Sequence, residues 1–411
     1  MGWPLNCHQT QRLSCVLACR EKIEEKDMDL PKTADIVIIG GGVMGASAAY
    51  HLSQRGMKNI VLLEKEEFFG TGATGRCAGG VRYQFSTEIN VRLSLESLPM
   101  LERFKDETGQ DIDYRQCGYL LVATNEKDAS EFAHNVKLQN HLGVATELLS
   151  GDEVRARLPM MRFDDAIAGT FNPKDGLVDP NSVVAGYISA AQKLGVRAFT
   201  NAGATGITLS GDKVESVETE HGAIKTRMIL NAAGPWSSQI GLMAGIQMPV
   251  IPLRRQMYTT TPMPGIPADF PFVIDFSQSL YFHREGDGLL IGMSNANEEP
   301  GYDQGVDEDF ELINMEAAIA RLPLLETAGR VSHWAGLYEV TPDAHPIFGA
   351  TEVDGLFVVT GFSGHGFMHG PVAGKLMAEF ITKGAFETLD VSMLDMARFT
   401  EGRLIQEYNV V

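Results

Sequence analysis

The chain has 411 residues, 44% hydrophobic and 21% charged, which is long enough for two domains or one large domain with an insertion. Its formal net charge of −19 repels phosphate backbones and excludes nucleic acid as an expected partner. No run of 18 apolar residues predicts a transmembrane helix, and the five cysteines contain no Cys-x-x-Cys pair, which leaves no metal motif and fits a reducing, cytoplasmic setting.

The first 27 residues, with Cys7, Cys15 and Cys19, lack the long apolar core and small-residue cleavage site of a signal peptide. Met28 then opens "MDLPKTADIVIIGGG", a natural start before a first strand. Residues 1–33 are therefore expected to be a disordered or mis-started extension.

"ADIVIIG" is a short β-branched run, as a buried parallel strand should be. Gly40, Gly42 and Gly45 follow as G-x-G-x-x-G. The first permits the turn, the second lets a pyrophosphate approach the backbone, and the third lets helix and strand pack closely. A helix is predicted from Met44 to Gln54, with Gly56 as its stop. The N-terminal end of such a helix presents free N–H groups to phosphate. A second strand, "NIVLLEK", ends at Glu64 and Lys65, and Glu64 stands where an acid binds ribose hydroxyls. Strand, turn, helix, strand and acid in this order make a dinucleotide site.

Three later segments choose between dinucleotides. "GTGATGRCAGGVRYQF" (70–85) is a second small-residue loop. "TRMILNAAGPWSSQIG" (226–241) is a strand running into a turn. "GLFVVTGFSGHGFMHGPVAGKLMAEFITKG" (355–384) is a strand, a glycine-rich loop and a helix. Three strand–loop–helix junctions can converge on one long cofactor such as FAD. Between them, "CGYLLVAT" and "LLIGMS" read as strands. "DASEFAHNVKLQNHL" reads as a helix with Asp128 or Ser130 near its start, and "TTTPMPGIPADFPF" as an irregular loop.

"GRCAGGVRYQF", "NAAGPWS", "WAGLYEVTPDAHPIFG" and "GFSGHGFM" together resemble the D-amino-acid-oxidase-type FAD-dependent oxidoreductases, and within them the β subunits of heteromeric sarcosine oxidase and L-proline dehydrogenase. The resemblance spans about 34–384. It implies an α/β (α+β) fold, a Rossmann-like FAD-binding domain with an inserted mixed-sheet substrate domain. The first would comprise 34–90, 152–240 and 331–384, the second 91–151 and 241–330, with 385–411 a C-terminal segment.

The same resemblance implies that Gly40, Gly42, Val43, Met44, Gly45, Glu64 and Lys65 hold the ADP part of FAD. Thr74, Gly75 and Arg76 would lie by the flavin and pyrophosphate, and Ala204 by adenine. Ala233 and Gly234 would approach from behind, and Gly364, His365, Gly366, Phe367 and Met368 would line the pyrimidine edge. Arg76 stands where some relatives attach FAD through histidine, so FAD is expected to be non-covalent. Pro180 stands near where relatives attach FMN, so any FMN at a subunit interface would be non-covalent too. Tyr338 replaces an arginine of D-amino-acid and glycine oxidases, and Met368 a lysine of monomeric sarcosine oxidases. These departures favour a dehydrogenase that passes electrons to a partner subunit.

The implied reaction is C–N oxidation of a secondary amino acid such as sarcosine or proline, needing orientation and electrostatics rather than a nucleophile or metal. An oxidase, a 2-hydroxy-acid dehydrogenase and a flavoprotein assembly factor are the alternatives. Arg82 is the candidate for the substrate carboxylate, against a structural arginine paired with an acid. Two roles stand open for His365: proton relay or flavin tuning, and packing. Tyr281 and Tyr338 are candidate pocket walls. His283 reads as a surface residue, His369 as a residue facing a subunit interface, and Asp343 and His345 as loop braces. Cys77 reads as small and buried rather than nucleophilic.

Overall fold

A computed structural model describes residues 28–410. The expected extension at 1–27 lies outside the described residues. Residues 28–33, expected to be disordered, are placed. Thr33 bridges Lys225, the Lys225 N–H donates to the Lys32 carbonyl, and Leu30 joins an apolar cluster with Val37 and Ile224.

The strand Ile36–Ile39 is the centre of a six-stranded sheet in the order 347–350, 356–360, 229–231, 36–39, 60–63, 197–199. Its neighbours run parallel except at the edge pair 347–350 with 356–360. All four residues of Ile36–Ile39 and of Ile60–Leu63 are buried, which is why both read as unbroken apolar runs rather than alternating ones. Ile36 pairs Ile60 and Ile39 pairs Leu63, so both strands deliver their carboxyl ends to one edge of the sheet.

The helix Val43–Gln54 rises from that edge and packs against the helix Gly366–Lys383. Small residues set the approach. A Cβ at Gly374 would lie 2.3 Å from the Ser47 Oγ, and one at Gly370 2.5 Å from Val43. The Ser47 hydroxyl donates to the Pro371 carbonyl at 2.9 Å. A third helix, Glu88–Glu102, covers the other side of Gly366–Lys383.

The second layer is an eight-stranded mixed sheet in the order 330–340, 251–260, 288–293, 280–285, 272–275, 119–123, 168–172, 147–150. The strands 168–172 and 330–340 thus sit in this sheet although the sequence segments around them were assigned to the cofactor domain. Both pair by register with strands of the insertions, Leu121 with Thr170 and Arg255 with Gly336, and main-chain pairing decides membership. The predicted helix near 128 begins at Glu126. Asn125 caps it by accepting from the Asp128 N–H, one turn ahead of the expected start.

Beyond Gly384, a left-handed helix stop at φ +74°, the chain crosses back over the site. Arg398 and Glu407 on this segment are buried, and Asn409 reaches Arg82.

Candidate functional site

The carboxyl ends of 36–39, 60–63 and 229–231 open into a cleft of about 350 Å³, the place where parallel α/β sheets bind ligands. Gly40, Gly42, Val43, Met44, Glu64, Lys65, Thr74, Arg76, Ala204, Ala233, Gly234, Gly364, Gly366 and Phe367 all border it. Gly45 and Gly75 do not; both shape the loops beneath it. A Cβ at Gly45 would fall 1.9 Å from the Gly40 carbonyl oxygen, and one at Gly75 2.4 Å from that of Gly70. His365 and Met368 border a second, adjoining chamber.

The cleft has the donors an anionic dinucleotide requires. The helix Val43–Gln54 begins at Gly42 with no side-chain cap, so its first-turn N–H groups are left for a ligand. Among the described residues only Val43 has a side-chain acceptor there, the Thr74 hydroxyl at 3.2 Å. Glu64 is set by two main-chain donors, Gly41 N–H at 2.9 Å and Glu66 N–H at 3.0 Å, which leave carboxylate lone pairs for hydroxyls. Burial raises its pKa, and those two N–H groups oppose the rise. The helix Gly366–Lys383 also begins without a side-chain cap, so it brings a second set of N–H donors to the cleft. Two uncapped helix ends packed side by side and opening on one cleft fit FAD, with phosphates at the first and the electron-rich ring edge at the second.

The second loop is braced from behind. Gly364 has φ +98°, and a Cβ there would lie 2.3 Å from the Tyr338 ring. Glu339 is buried. It accepts from the Thr360 hydroxyl at 2.8 Å and the Phe362 N–H at 3.3 Å, and its own carbonyl accepts from Ser363 N–H.

The adjoining chamber, about 100 Å³, lies between this loop and the eight-stranded sheet. Arg82, Tyr281, Tyr338, His365 and Met368 border it as the sequence suggested. Tyr119, Arg255, Met257, Phe272, Ile274 and Val410 border it too, and no motif pointed to them. Tyr281 lies flat because its strand neighbour is Gly292, whose Cβ would sit 2.2 Å from the phenol.

His365 is buried with both ring nitrogens unpartnered among the described residues. Burial, then the positive potential of His345 and Arg82, holds it well below the usual histidine pKa, so the ring is neutral. Arg82 is buried over the Phe85 ring, and its two terminal nitrogens donate to the carbonyls of Gln84 and Asn409. No acid pairs with it among the described residues.

Two histidine readings are corrected. His369 is fully buried, its ring tilted against Phe85 and hydrogen-bonded through Nε2 to Ser94 at 2.9 Å. It faces no surface because its helix is packed on two sides. His283 is 1% exposed and packs on Phe272, since both faces of its strand are covered. Burial pushes the Cys77 thiol up to about 12, which keeps it protonated. No cluster of three metal-ligating side chains occurs among the described residues, nor any helix long and apolar enough to cross a membrane.

A family model described as FAD dependent oxidoreductase (DAO) matches residues 35–380. Mitochondrial sarcosine dehydrogenase of Mus musculus is 33% identical over 388 residues, 90% of this chain and 42% of that protein. Mitochondrial dimethylglycine dehydrogenase of Rattus norvegicus is 32% identical over 89% of this chain and 45% of that protein. The chain thus spans less than half the length of these two relatives. The crystal structure of L-proline dehydrogenase from P. horikoshii superposes with a TM-score of 0.84 at 33% identity, covering 91% of this chain and 100% of that one.

Proposed function

The chain belongs to the DAO family of FAD-dependent oxidoreductases, and from that premise we propose that it oxidises the C–N bond of a small N-substituted amino acid of the sarcosine, dimethylglycine or proline type. The observation that carries this reading is the chamber beside the 363–368 loop. It is small, about 100 Å³ against about 350 Å³ for the cleft beside it. Its walls include tyrosines, apolar side chains and guanidinium groups, and among the described residues no side-chain carboxylate borders it. Such a lining suits a small acid whose amine is uncharged when it reacts.

FAD, when bound, supplies the acceptor for the hydride on the carbon that bears nitrogen. The chain's own residues do the rest. The Gly42 and Gly366 helix ends hold negative charge, Glu64 takes hydroxyls, and the Tyr281 and Phe272 floor excludes water. Neutral His365 offers an unengaged ring nitrogen as a hydrogen-bond acceptor to the substrate, since neither nitrogen has a partner among the described residues. Arg76 is committed to Thr71 and Ala335 carbonyls, consistent with non-covalent FAD. Met368 beside the chamber supports electron transfer to a partner subunit, with FMN as a further carrier, over direct use of oxygen.

The test is anaerobic titration of the yellow protein with sarcosine, N,N-dimethylglycine and L-proline, following flavin absorbance. One of them bleaches the band, and the colour returns slowly in air. A band that none of the three bleaches would refute the reading. Glu64→Ala should weaken FAD binding roughly 10- to 100-fold, the worth of a hydrogen bond to a charged group. Titration of the apoprotein with FAD reads this directly.

A further inference from the structure

We infer that Arg255, not Arg82, holds the carboxylate of the substrate. The inference rests on the amino-acid reading above and names the group that recognises the acid. Three guanidinium groups border the chamber, those of Arg76, Arg82 and Arg255. Arg76 donates from Nε to the Thr71 carbonyl at 3.2 Å and from Nη1 to the Ala335 carbonyl at 2.8 Å, so it ties its loop to the sheet. Both terminal nitrogens of Arg82 are taken by main-chain carbonyls, one of them from the C-terminal segment. Its role is to hold that segment as a wall.

Arg255 stands differently. Among the described residues it makes one hydrogen bond, from Nη1 to the Arg254 carbonyl at 2.8 Å. Its Nε is buried with no acceptor, and Nη2 has none among the described residues. The Nε–Nη2 edge is the pair of parallel N–H donors that matches a carboxylate. A buried donor left without a partner is costly, and an anion in the chamber removes that cost.

The contrast with its neighbour is informative. Arg254 points to the opposite face of the strand, where it meets Glu298 at 2.9 Å and Asp303 at 3.0 Å. Alternation sends Arg255 to the chamber face, beside Met257, where no acid awaits it among the described residues. Pairing with Gly336 fixes its backbone, and the Tyr338 ring lies 5.1 Å from its Cζ. A carboxylate held there leaves the rest of a small amino acid over Met257, Ile274 and Tyr281, across from His365.

The experiment uses the FAD-loaded protein and an unreactive probe, pyrrole-2-carboxylate, with pyrrole-2-carboxamide as its uncharged counterpart. Binding is read from the flavin absorbance shift and by calorimetry. Arg255→Gln should raise the Kd of the carboxylate roughly 10- to 100-fold and leave that of the amide within about twofold, and Arg255→Lys should fall between. Undiminished carboxylate binding in Arg255→Gln overturns the inference and leaves the amino-acid reading intact. Native protein that binds the amide as tightly as the carboxylate overturns both. A measurement on native protein guards against a variant that fails to fold. The carboxylate should shield Arg255 from phenylglyoxal, mapped by peptide mass, and shielding of Arg82 alone would overturn the assignment.

Discussion

Gly45→Val gives a protein that purifies with less than about one-tenth of its flavin and unfolds at a lower temperature. A Cβ at this position falls 1.9 Å from the Gly40 oxygen and 3.2 Å from Ile38. The helix cannot retreat, because Gly370 and Gly374 of the helix behind it are already in contact with Val43 and Ser47. The turn cannot open freely either. Gly40 holds φ +111°, and its own Cβ would lie 2.4 Å from the Ala232 oxygen. The strain therefore moves into the N–H groups at Gly42 and Val43. Overpacking of this kind costs about 1–3 kcal/mol or more, and displaced donors add to the loss of affinity. Gly56→Ala is the informative contrast. At φ +89° with nothing within 4 Å, it should cost about 1 kcal/mol in stability and keep its flavin. The ratio of flavin to protein absorbance, with thermal unfolding, separates the two. Full flavin content in Gly45→Val would refute the account.

The dinucleotide unit was legible in the sequence because its logic is local. Thirty consecutive residues carry the strand, the turn glycines, the helix and Glu64, and each reports its own backbone requirement. The flavin-side loop was legible for the same reason. The chamber was not. Tyr119, Arg255, Met257 and Phe272 come from three separate strands, and only the order of the eight-stranded sheet sets them side by side. Arg255 left one weak trace, an alternation in "PLRRQM" that puts two adjacent arginines on opposite faces. His369 was misplaced because periodicity reveals burial only for a helix with one wet face, and this helix is covered on two sides. Nor could any local pattern announce that residues 407–410 return to Arg82 across more than 300 positions.

That return depends on one buried ion pair, and breaking it should be the most destabilising single charge change in the chain. Arg398 and Asp343 are both fully buried, joined by Nε–Oδ2 at 2.9 Å and Nη2–Oδ1 at 3.0 Å. Arg398 also donates to the carbonyls of Leu394, Asp395 and His345. Asp343→Asn keeps the shape and removes the counter-charge, leaving a buried guanidinium uncompensated at a cost of about 3–5 kcal/mol. The double variant Asp343→Leu with Arg398→Met removes both charges and should be less damaged than Asp343→Asn alone, and chemical denaturation measures the difference. The lesion should reach the chamber. The Asp343 carbonyl accepts from Glu407 N–H, and the Glu407 carboxylate accepts from Thr87 and Asn90; Asn409 then meets Arg82. Asp343→Asn should therefore speed proteolysis after Gly402 and weaken carboxylate binding together. Acid should act on the same segment. Burial pushes both carboxyls up, but Arg398 for Asp343 and the Ser86 and Asn90 donors for Glu407 outweigh it, leaving each below its ordinary value. A depressed folded pKa gives stability that is complete above the unfolded value, about 4 for such groups, and lost as pH falls through the folded one. The C-terminal segment should thus hold at neutral pH and release below about pH 4. Proteolysis that is unchanged in Asp343→Asn, with stability within about 1 kcal/mol of native, would show that the pair does not anchor the wall of the chamber.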